Sequence, residues 1–476
     1  MLKKELLAEV LDQALQRGGD FAEIYIEEKK SSNVFCEDNR IEKVNSGREK
    51  GAGIRVVKDG NTAYVYTNDL SRDSLIKAAI VASHALSTEN KHEKTTYNLT
   101  TKQAEFEIKY KQMPEDVSFD KKIENVMQAN KAARSLGEEI RQVTIALGDI
   151  HKNIQIANTD GDYVEDERVR VRLIASTVAH REGLIQTGYE SAGSVSGWEI
   201  LEKVSFEDLA IKAANLSIEM LDAKPAPAGR MPVVMAAEAG GTMVHEACGH
   251  GLEADLVQKG LSVYKNKMGE KVAADEVTVI DDATIGNKYG TYRFDDEGNL
   301  GERTTLIKDG YLTNYMYDRL TAEKDGVVST GNGRRESYQH KPIPRMSNTF
   351  IESGKSDPDE IIKSTPQGLL VKKMGGGQVN TTNGDFVFEV QEAYIIEKGE
   401  IKYPVRGATL SGNGPVVLNE IDRVGNDLGY AIGTCGKGGQ GVPVADAQPT
   451  IRIKQLTVGG TSLDDENLQI KRIRRK

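Results

Sequence analysis

The sequence has few cysteines and only one tryptophan: three Cys and one Trp in 476 residues. Three cysteines cannot form a disulfide framework, and an odd number leaves a thiol unpaired, which is typical of a reducing compartment. We therefore expect a cytoplasmic protein.

No run of 18 apolar residues is present, which excludes a membrane-spanning helix. Residues 1–20 also lack the apolar run of a signal peptide, and their leucine and valine spacing predicts an amphipathic helix.

An excess of positive charge is also missing, because 62 Lys and Arg stand against 72 Asp and Glu, for a net charge of −10. Nucleic-acid binding requires clustered lysine and arginine, so the composition disfavours a nucleic-acid partner. The one basic cluster, KRIRRK at residues 471–476, is interpreted as a solvated tail. Hydrophobic and charged contents of 38% and 28% are typical of a globular protein, and the length predicts two or three domains.

Glycine is abundant, with 47 residues, and most of them lie in the second half of the chain. Excess glycine indicates tight turns, or a backbone that approaches another group closely. The first half instead alternates helices with strands. Four helices are predicted, at residues 2–16, 71–85, 118–136 and 205–221, the last three capped by Ser71, Ser118 and Ser205.

Strands are predicted between these helices, in runs that begin at Ala22, Gly53, Thr62, Gln142 and Val169. The last run alternates arginine with valine and leucine, which is the pattern of a half-buried strand. The turn residues 59–61 (DGN) separate two of the strands and predict a hairpin.

The sequence changes character at residues 223–230, AKPAPAGR, where two prolines and a glycine follow a helix. We place a linker there, between an N-terminal α+β domain of residues 1–222 and a C-terminal domain of residues 231–476. In the second half only two helices are predicted, one from about Thr242 and one over 357–364 with Pro358 in its first turn. The remainder is predicted to be antiparallel β. The fold class is therefore α+β, with a mixed N-terminal α/β domain and a mostly antiparallel β C-terminal domain that carries the helix from about Thr242.

The segment with the clearest chemistry is PVVMAAEAGGTMVHEACGHGLEADL, residues 232–256. A short strand runs into two glycines, and Thr242 is placed to cap a helix that carries His245, Glu246 and His250. Imidazole and carboxylate neighbours on one helix are a signature of metal hydrolases.

The two histidines are five positions apart, which on a regular helix separates them by about 140°. That angle is wide for two ligands of one ion. A single i→i+5 turn would bring them together, and Gly249 would let the backbone deform. We therefore predict a local distortion of this helix. Glu246 and Glu253 fall between the histidines in azimuth and face the metal, whereas Cys248 faces away.

A catalytic zinc usually has three protein ligands and a water. The residues themselves leave the third ligand open. The candidates are Glu253, His84, His92, His151, His180, His340, Cys36 and Cys435. Cys435 stands in the glycine-dense segment GTCGKGGQGVPVADAQPT, where a bare loop could fold against a metal.

HEACGHGLEAD resembles the HExxxH motif of the TldD/PmbA metallopeptidases. The resemblance extends to further blocks along nearly the whole chain. These blocks are residues 47–71, 332–349, 375–388, 405–414 and 434–450. The chain keeps every motif residue, so it resembles the active TldD branch rather than the partner branch that lacks the metal motif.

The resemblance implies a peptidase with one zinc ion per chain, held by His245, His250 and Cys435. Glu246 is then expected to be the general base. It also implies a homodimer, or a heterodimer with a related chain that lacks the metal motif, enclosing a chamber that admits unfolded or short peptides. Residues 231–476 would form the metallopeptidase domain.

Two supporting roles are predicted beside these. Glu253 is expected to hydrogen-bond to a ligating histidine rather than to bind the metal. By residue type, the candidate hydrogen-bond donors to the tetrahedral oxyanion are Arg334, Arg335, Tyr338 and His340.

Two alternatives to a peptidase remain. One is a nucleotide-binding enzyme, because Gly436, Gly438 and Gly441 formally spell G-x-G-x-x-G, although Pro443 follows where a helix would be needed. The other is a non-catalytic subunit of a protease complex. Metal analysis of the purified chain separates all three.

Overall fold

The computed structural model of the chain describes residues 1–86, 95 and 97–460. The basic cluster at 471–476 and His92 lie outside these residues. Within them the fold is α+β, as predicted. No helix among the described residues has the length and apolar character needed to cross a membrane.

The N-terminal half is built on one seven-stranded sheet, with strand order β3-β2-β1-β5-β6-β4 and β7 paired to β6. Its elements are α1 Lys4–Leu15, β1 Phe21–Glu37, β2 Arg40–Lys58, β3 Asn61–Thr67, α2 Arg72–Ala85, β4 Thr100–Thr101, α3 Phe119–Arg134, β5 Ile140–Asn158, β6 Asp162–Arg181, β7 Leu184–Ser194, α4 Ile200–Lys203 and α5 Phe206–Asp222.

All four predicted helices match an observed helix to within two residues at each end, and all five predicted strand runs lie within observed strands. Ser118 and Ser205 accept hydrogen bonds from the backbone of the first helical turn, as expected of N-caps. Ser71 occupies the same position but makes no such bond. The β2–β3 hairpin is confirmed, and its turn residues Asp59 and Gly60 both have positive φ, at 48° and 73°. That geometry matches the twist of the flanking strands.

Alternation along β6 sends its two kinds of side chain to opposite faces of the sheet. Val171 and Leu173 join a core with α3 and α5. The arginines at the alternate positions lie on the other face of the sheet. There Arg168 and Arg170 donate hydrogen bonds to backbone carbonyls of the C-terminal half. The sheet therefore has one apolar face under helices and one polar face against the rest of the chain.

The C-terminal half contains an eight-stranded and a six-stranded sheet. Its elements are β8 Lys224–Pro225, β9 Gly229–Met235, α6 Thr242–Val244, α7 Ala254–Gln258, β10 Val279–Asp282, β11 Arg303–Lys308, β12 Tyr311–Leu312, α8 Arg319–Asp325, β13 Gly333–Arg334, β14 Ile343–Pro344, β15 Asn348–Ile351, α9 Pro358–Lys363, β16 Gln367–Asn380, β17 Asp385–Glu397, β18 Glu400–Arg406, β19 Thr409–Asn413, α10 Gly414–Asn419, β20 Ile421–Val424, β21 Gly429–Lys437, β22 Gln440–Gln448 and β23 Ile451–Gly459.

The eight-stranded sheet closes on itself, because β16, β9, β23, β19 and β17 pair in order and β17 pairs again with β16. The six-stranded sheet has the order β12-β11-β10-β15-β22-β21. Its β21 and the segment after β9 bring the predicted metal residues together.

The helix prediction for this half was wrong in part. The helices near Thr242 and at α9 are present, but α7, α8 and α10 are additional helices of five to seven residues. Such short helices show too little periodicity to be recognised in a sequence. The strand pairing is mostly antiparallel, as predicted, and three pairs are parallel: β9–β16, β8–β18 and β15–β22.

A buried ion network joins the two halves. Its members are Glu23, Arg55, Arg168, Asp296, Glu297 and Arg335. Glu23 contacts Arg55 at 2.8 Å and Arg335 at 2.6 Å. Arg55 also contacts Glu297 at 2.6 Å, and Arg168 contacts Asp296 at 2.8 Å. Each charge of this network therefore has an opposite charge beside it.

Candidate metal centre

The segment that carries both histidines begins at two glycines in close contact with β22. Gly241 donates its backbone N–H to the carbonyl of Asp446, and a Cβ there would lie 2.2 Å from the backbone nitrogen of Ala447. Gly241, not Thr242, is the N-cap residue, so the predicted cap was wrong. Tight packing against β22 excludes a side chain at the cap position, and Thr242 is displaced into the first helical turn.

The predicted distortion of this helix is confirmed. After α6, residues His245–Gly249 form a π-helical turn in which the His250 N–H bonds to the His245 carbonyl. The extra residue in this turn brings the two imidazole rings to a centroid separation of 4.8 Å, nearly perpendicular to each other. A π-turn of this kind is common at functional sites.

Gly249 has a different role from the one predicted. Its φ of −50° and ψ of −59° are ordinary helical values that any residue adopts. A Cβ on Gly249 would instead lie 2.3 Å from the Sδ atom of Met346, which is fully buried. The glycine therefore permits close packing beneath the turn rather than an unusual backbone conformation.

Cys435 completes a group of three possible metal ligands. One ring nitrogen of His245, one of His250 and the Cys435 Sγ atom all lie within 4.8 Å of one another. The Sγ atom is 3.5 Å from Nε2 of His250. We call these three residues the metal cluster.

Cys435 does not lie in a loop, as the density of glycine had suggested. It is in β21, opposite Val442 of β22, and the turn of this hairpin is at Gly438 and Gly439, which have positive φ. The two strands fix the position of the thiol relative to the helix. Because a strand follows the turn, the three glycines of the G-x-G-x-x-G pattern do not form a dinucleotide loop.

The other candidate ligands lie elsewhere in the described residues. His151 bonds to Glu115 and Glu167, and His340 bonds to Ser337. Cys36 packs beside Met127 in the core of the N-terminal half.

Each imidazole of the metal cluster is oriented by a carboxylate. Nδ1 of His245 lies 2.9 Å from Asp446 Oδ1, and Nδ1 of His250 lies 3.0 Å from Glu253 Oε2. A carboxylate at Nδ1 favours the proton there and directs the Nε2 lone pair toward a metal. The predicted contact between Glu253 and a histidine is present. Asp446 was not identified in the sequence, because it lies 201 residues from His245.

Glu253 is itself held by Lys437, the second residue after Cys435. Glu253 is fully buried, and Lys437 Nζ lies 3.1 Å from its Oε2 atom. Lys437 also contacts Asp255 at 2.6 Å. Burial alone would raise the pKa of Glu253, but the positive charge of Lys437, with the contacts of His250 and the charge of Arg345, lowers that pKa to about 2. The partner of His250 is therefore a permanent carboxylate.

The environment of Cys435 favours its thiolate. Burial alone would raise its pKa, but hydrogen bonds from His245 and His250 lower the pKa to about 5. The thiolate is the metal-binding form of cysteine. Two imidazole nitrogens and a thiolate are a donor set that suits zinc and leaves a fourth tetrahedral position open.

Glu246 lines the cavity in front of the metal cluster, whose volume is about 570 Å³. Burial raises the pKa of Glu246 above the ordinary carboxyl value. Cys248 points the other way, as predicted. Its thiol is fully buried and lies 3.3 Å from the Val244 carbonyl oxygen.

None of the four oxyanion candidates is among the described residues that line this cavity. Arg334 donates to the carbonyl of Pro443, and Arg335 belongs to the buried ion network. The Tyr338 ring packs on Gly51 of β2. These contacts join segments far apart in the chain, so they could not be predicted from residue type alone. Lys437, Thr381 and Gln378 are polar residues that do line the cavity.

The chain matches three family models that together cover most of its length. They are described as PmbA/TldA metallopeptidase domain 1, central domain and C-terminal domain, and they match residues 22–86, 113–221 and 228–460.

Among curated proteins, a metalloprotease TldD homolog of Buchnera aphidicola is 36% identical over 95% of each chain. One from Haemophilus influenzae is 36% identical over 97% of each. A zinc metalloprotease TldD homolog of Saccharolobus solfataricus is 28% identical over 94% of this chain and 99% of its own. The crystal structure of TldE from Thermococcus kodakarensis has a similar fold, with a TM-score of 0.78, 18% identity, and coverage of 96% of this chain and 100% of its own.

Proposed function

The chain belongs to the PmbA/TldD family of metallopeptidases, and on that premise we propose that it hydrolyses peptide bonds with one zinc ion held by His245, His250 and Cys435. The observation that carries the proposal is the convergence of three ligand atoms within 4.8 Å on a π-turn and a neighbouring strand. Carboxylates behind both imidazoles support the ligand assignment, because they leave the Nε2 atoms free for a metal.

Glu246 is the general base of the proposed reaction. Zinc held by His245, His250 and Cys435 would supply a Lewis acid for the peptide carbonyl and for a water. Glu246 accepts the proton of the attacking water and returns it to the leaving amine. The raised pKa of this carboxyl supports the role, because a base with a higher pKa binds a proton more readily.

The substrates we propose are short or unfolded peptides. The cavity in front of the metal cluster, at about 570 Å³, suits an extended segment rather than a folded domain. We further propose a cytoplasmic location, supported by three cysteines that are all free thiols. The working assembly is a homodimer, or a heterodimer with a related chain that lacks the metal motif.

The proposal is tested by Glu246→Gln, with Glu238→Gln as the matched control on the preceding segment. Glu246→Gln keeps the size of the side chain and removes the base. We expect unchanged zinc content, measured by elemental analysis, and a loss of peptide cleavage of about 10²–10⁴-fold. The control side chain is 69% exposed, and its ion pair among the described residues is with Lys372 at 3.7 Å, so the activity of this variant should match the parent. Retained cleavage in Glu246→Gln would refute the general-base role.

The third ligand is tested by Cys435→Ser, with Cys248→Ser as the control. The first variant should lose zinc, because a neutral hydroxyl replaces a thiolate. The second should keep zinc, because Cys248 faces away from the metal cluster. Full zinc occupancy in Cys435→Ser would refute Cys435 as the third ligand.

A further inference from the structure

Three arginines follow one another on the polar face of β6, at alternate positions, and they differ in their partners. Arg168 contacts Asp166 at 2.7 Å and Asp296 at 2.8 Å. Arg170 and Arg172 form no ion pair with any described acidic residue. Charged side chains withdrawn from water are ordinarily paired, so this pair of arginines calls for an explanation.

Arg170 is held rigidly by neutral groups. It is 6% exposed, and its Nε and Nη2 atoms donate to the carbonyls of Tyr289 at 2.9 Å and Thr291 at 3.0 Å. These bonds orient the guanidinium without neutralising it. Its Nη1 atom makes no hydrogen bond to a described residue. Burial and the positive charges of Arg168 and Arg334 lower the pKa of Arg170 to about 10, which reflects the missing counter-charge.

The guanidinium of Arg172 also has unused hydrogen-bond donors. Its one hydrogen bond, to the Tyr189 hydroxyl, is 3.5 Å long, and its buried Nε atom has no partner among the described residues. Both arginines line a cavity of about 480 Å³, which we call the arginine pocket.

One acidic residue, Asp149, is among the described residues that line the arginine pocket, and it is already engaged. Its Oδ2 atom lies 2.6 Å from Nζ of Lys122 and 2.5 Å from Oγ of Ser32. The pocket therefore keeps two uncompensated positive charges. Such a site favours an anion with two oxygens, because a guanidinium donates paired hydrogen bonds to a carboxylate.

The arginine pocket adjoins the cavity in front of the metal cluster. Thr434 of β21 lines both spaces, and the next residue is Cys435. A peptide in the metal-site cavity can therefore place a group a few residues from the bond to be cleaved beside Arg170 and Arg172.

We propose that the arginine pocket binds a carboxylate of the peptide substrate and so selects where the chain is cut. The proposal rests on the peptidase function proposed above. The carboxylate belongs either to an aspartate or glutamate side chain or to the C-terminus of the peptide, since both present the same planar group.

The test uses four versions of one labelled peptide, with glutamate or glutamine at a chosen position and a free or amidated C-terminus. Affinity is measured by fluorescence anisotropy on the zinc-loaded chain, and KM and kcat are measured where cleavage occurs. We expect carboxylate peptides to bind about tenfold more tightly than the fully neutral peptide, the order expected for a charge-assisted hydrogen bond. The four peptides distinguish a side-chain carboxylate from a C-terminal one.

The preference should disappear in Arg172→Gln, with the change in KM rather than in kcat. Arg170→Gln should have the same effect, and Arg172→Gln keeps the test available if the more buried substitution fails to fold. The control is Arg141→Gln, because Arg141 is an exposed residue of β5 outside the pocket. Its peptide preference should equal that of the parent.

The outcomes separate this inference from the proposed function. Cleavage without any preference for a carboxylate would overturn the inference and leave the peptidase intact. Carboxylate-dependent binding without cleavage would support the pocket and refute the peptidase. If Arg172→Gln changes the mass of the assembly but not peptide affinity, a second chain supplies the anion and the inference is wrong.

Discussion

The buried ion network and the metal cluster both place ionisable side chains away from water, but they satisfy those groups differently. In the network, Glu23 lies between Arg55 and Arg335, and every charge meets an opposite charge. At the metal cluster, the carboxylates of Asp446 and Glu253 contact the outer nitrogens of the imidazoles. The three ligand atoms face one another across a space. Buried charges that are all paired with opposite charges indicate a structural role, whereas ligand atoms that face one another across a space indicate a binding site.

The arginine pocket resembles the metal cluster in this respect. Arg168 joins the network, while Arg170, two residues further along the same strand, is buried with only neutral partners. The same strand therefore contributes to both kinds of region. The three predictions that follow test which polar contacts stabilise the fold and which support zinc binding.

The largest effect on stability is expected in the network. Glu23→Gln removes the charge shared by Arg55 and Arg335 and leaves both partly uncompensated in a buried site. The free energy of unfolding should fall by about 3–5 kcal/mol, measured by urea denaturation. The zinc content of the folded protein should not change, because Glu23 does not belong to the metal cluster.

The matched control for this prediction is Glu49→Gln. Glu49 contacts Lys29 at 2.8 Å, but its side chain is 62% exposed. An exposed ion pair contributes at most about 1 kcal/mol. If Glu23→Gln destabilised the protein no more than this control, the network would not have the structural role assigned to it.

An intermediate effect is expected at the metal cluster. Asp446→Asn keeps the shape of the side chain that orients His245 but removes its charge. Zinc affinity should fall about 10–100-fold, measured by competition with a chelator, as is usual when the hydrogen-bond partner of a metal-binding histidine is replaced. Unchanged affinity would mean that the imidazole is oriented by packing alone.

The smallest effect concerns single hydrogen bonds at helix caps. Ser118 accepts a bond from the first turn of α3, whereas Ser71 makes none at α2. Ser118→Ala should therefore lower the free energy of unfolding by about 1 kcal/mol. Ser71→Ala provides the comparison and should have little effect. Equal losses would contradict the assignment of these two caps, and chemical denaturation of both variants measures the difference.

The regular parts of the N-terminal half were predictable because their signals are local. A serine before an apolar-periodic run marks the start of α3 and α5, and residues 59–61 encode the β2–β3 turn. The π-turn was predictable for the same reason, because two residues five positions apart come to the same side of a helix only with an extra residue in the turn.

The C-terminal half was predicted less well because its geometry depends on distant segments. The density of glycine around Cys435 suggested a loop, but pairing with β22 makes it a strand. The partners of Arg334 and Arg335 come from segments far along the chain, so residue type could not exclude them from the oxyanion role.

The sequence by itself determined which helix carries His245 and His250, that this helix is distorted, and that Cys248 faces away from these two histidines. These properties follow from angular spacing along one segment, which backbone geometry sets. Only the tertiary structure decided that Asp446 lies behind His245, and that Arg170 and Arg172 have no acidic partner among the described residues. Those facts depend on the register of sheets whose strands are far apart in the chain, and a register is settled by the packing of many side chains together.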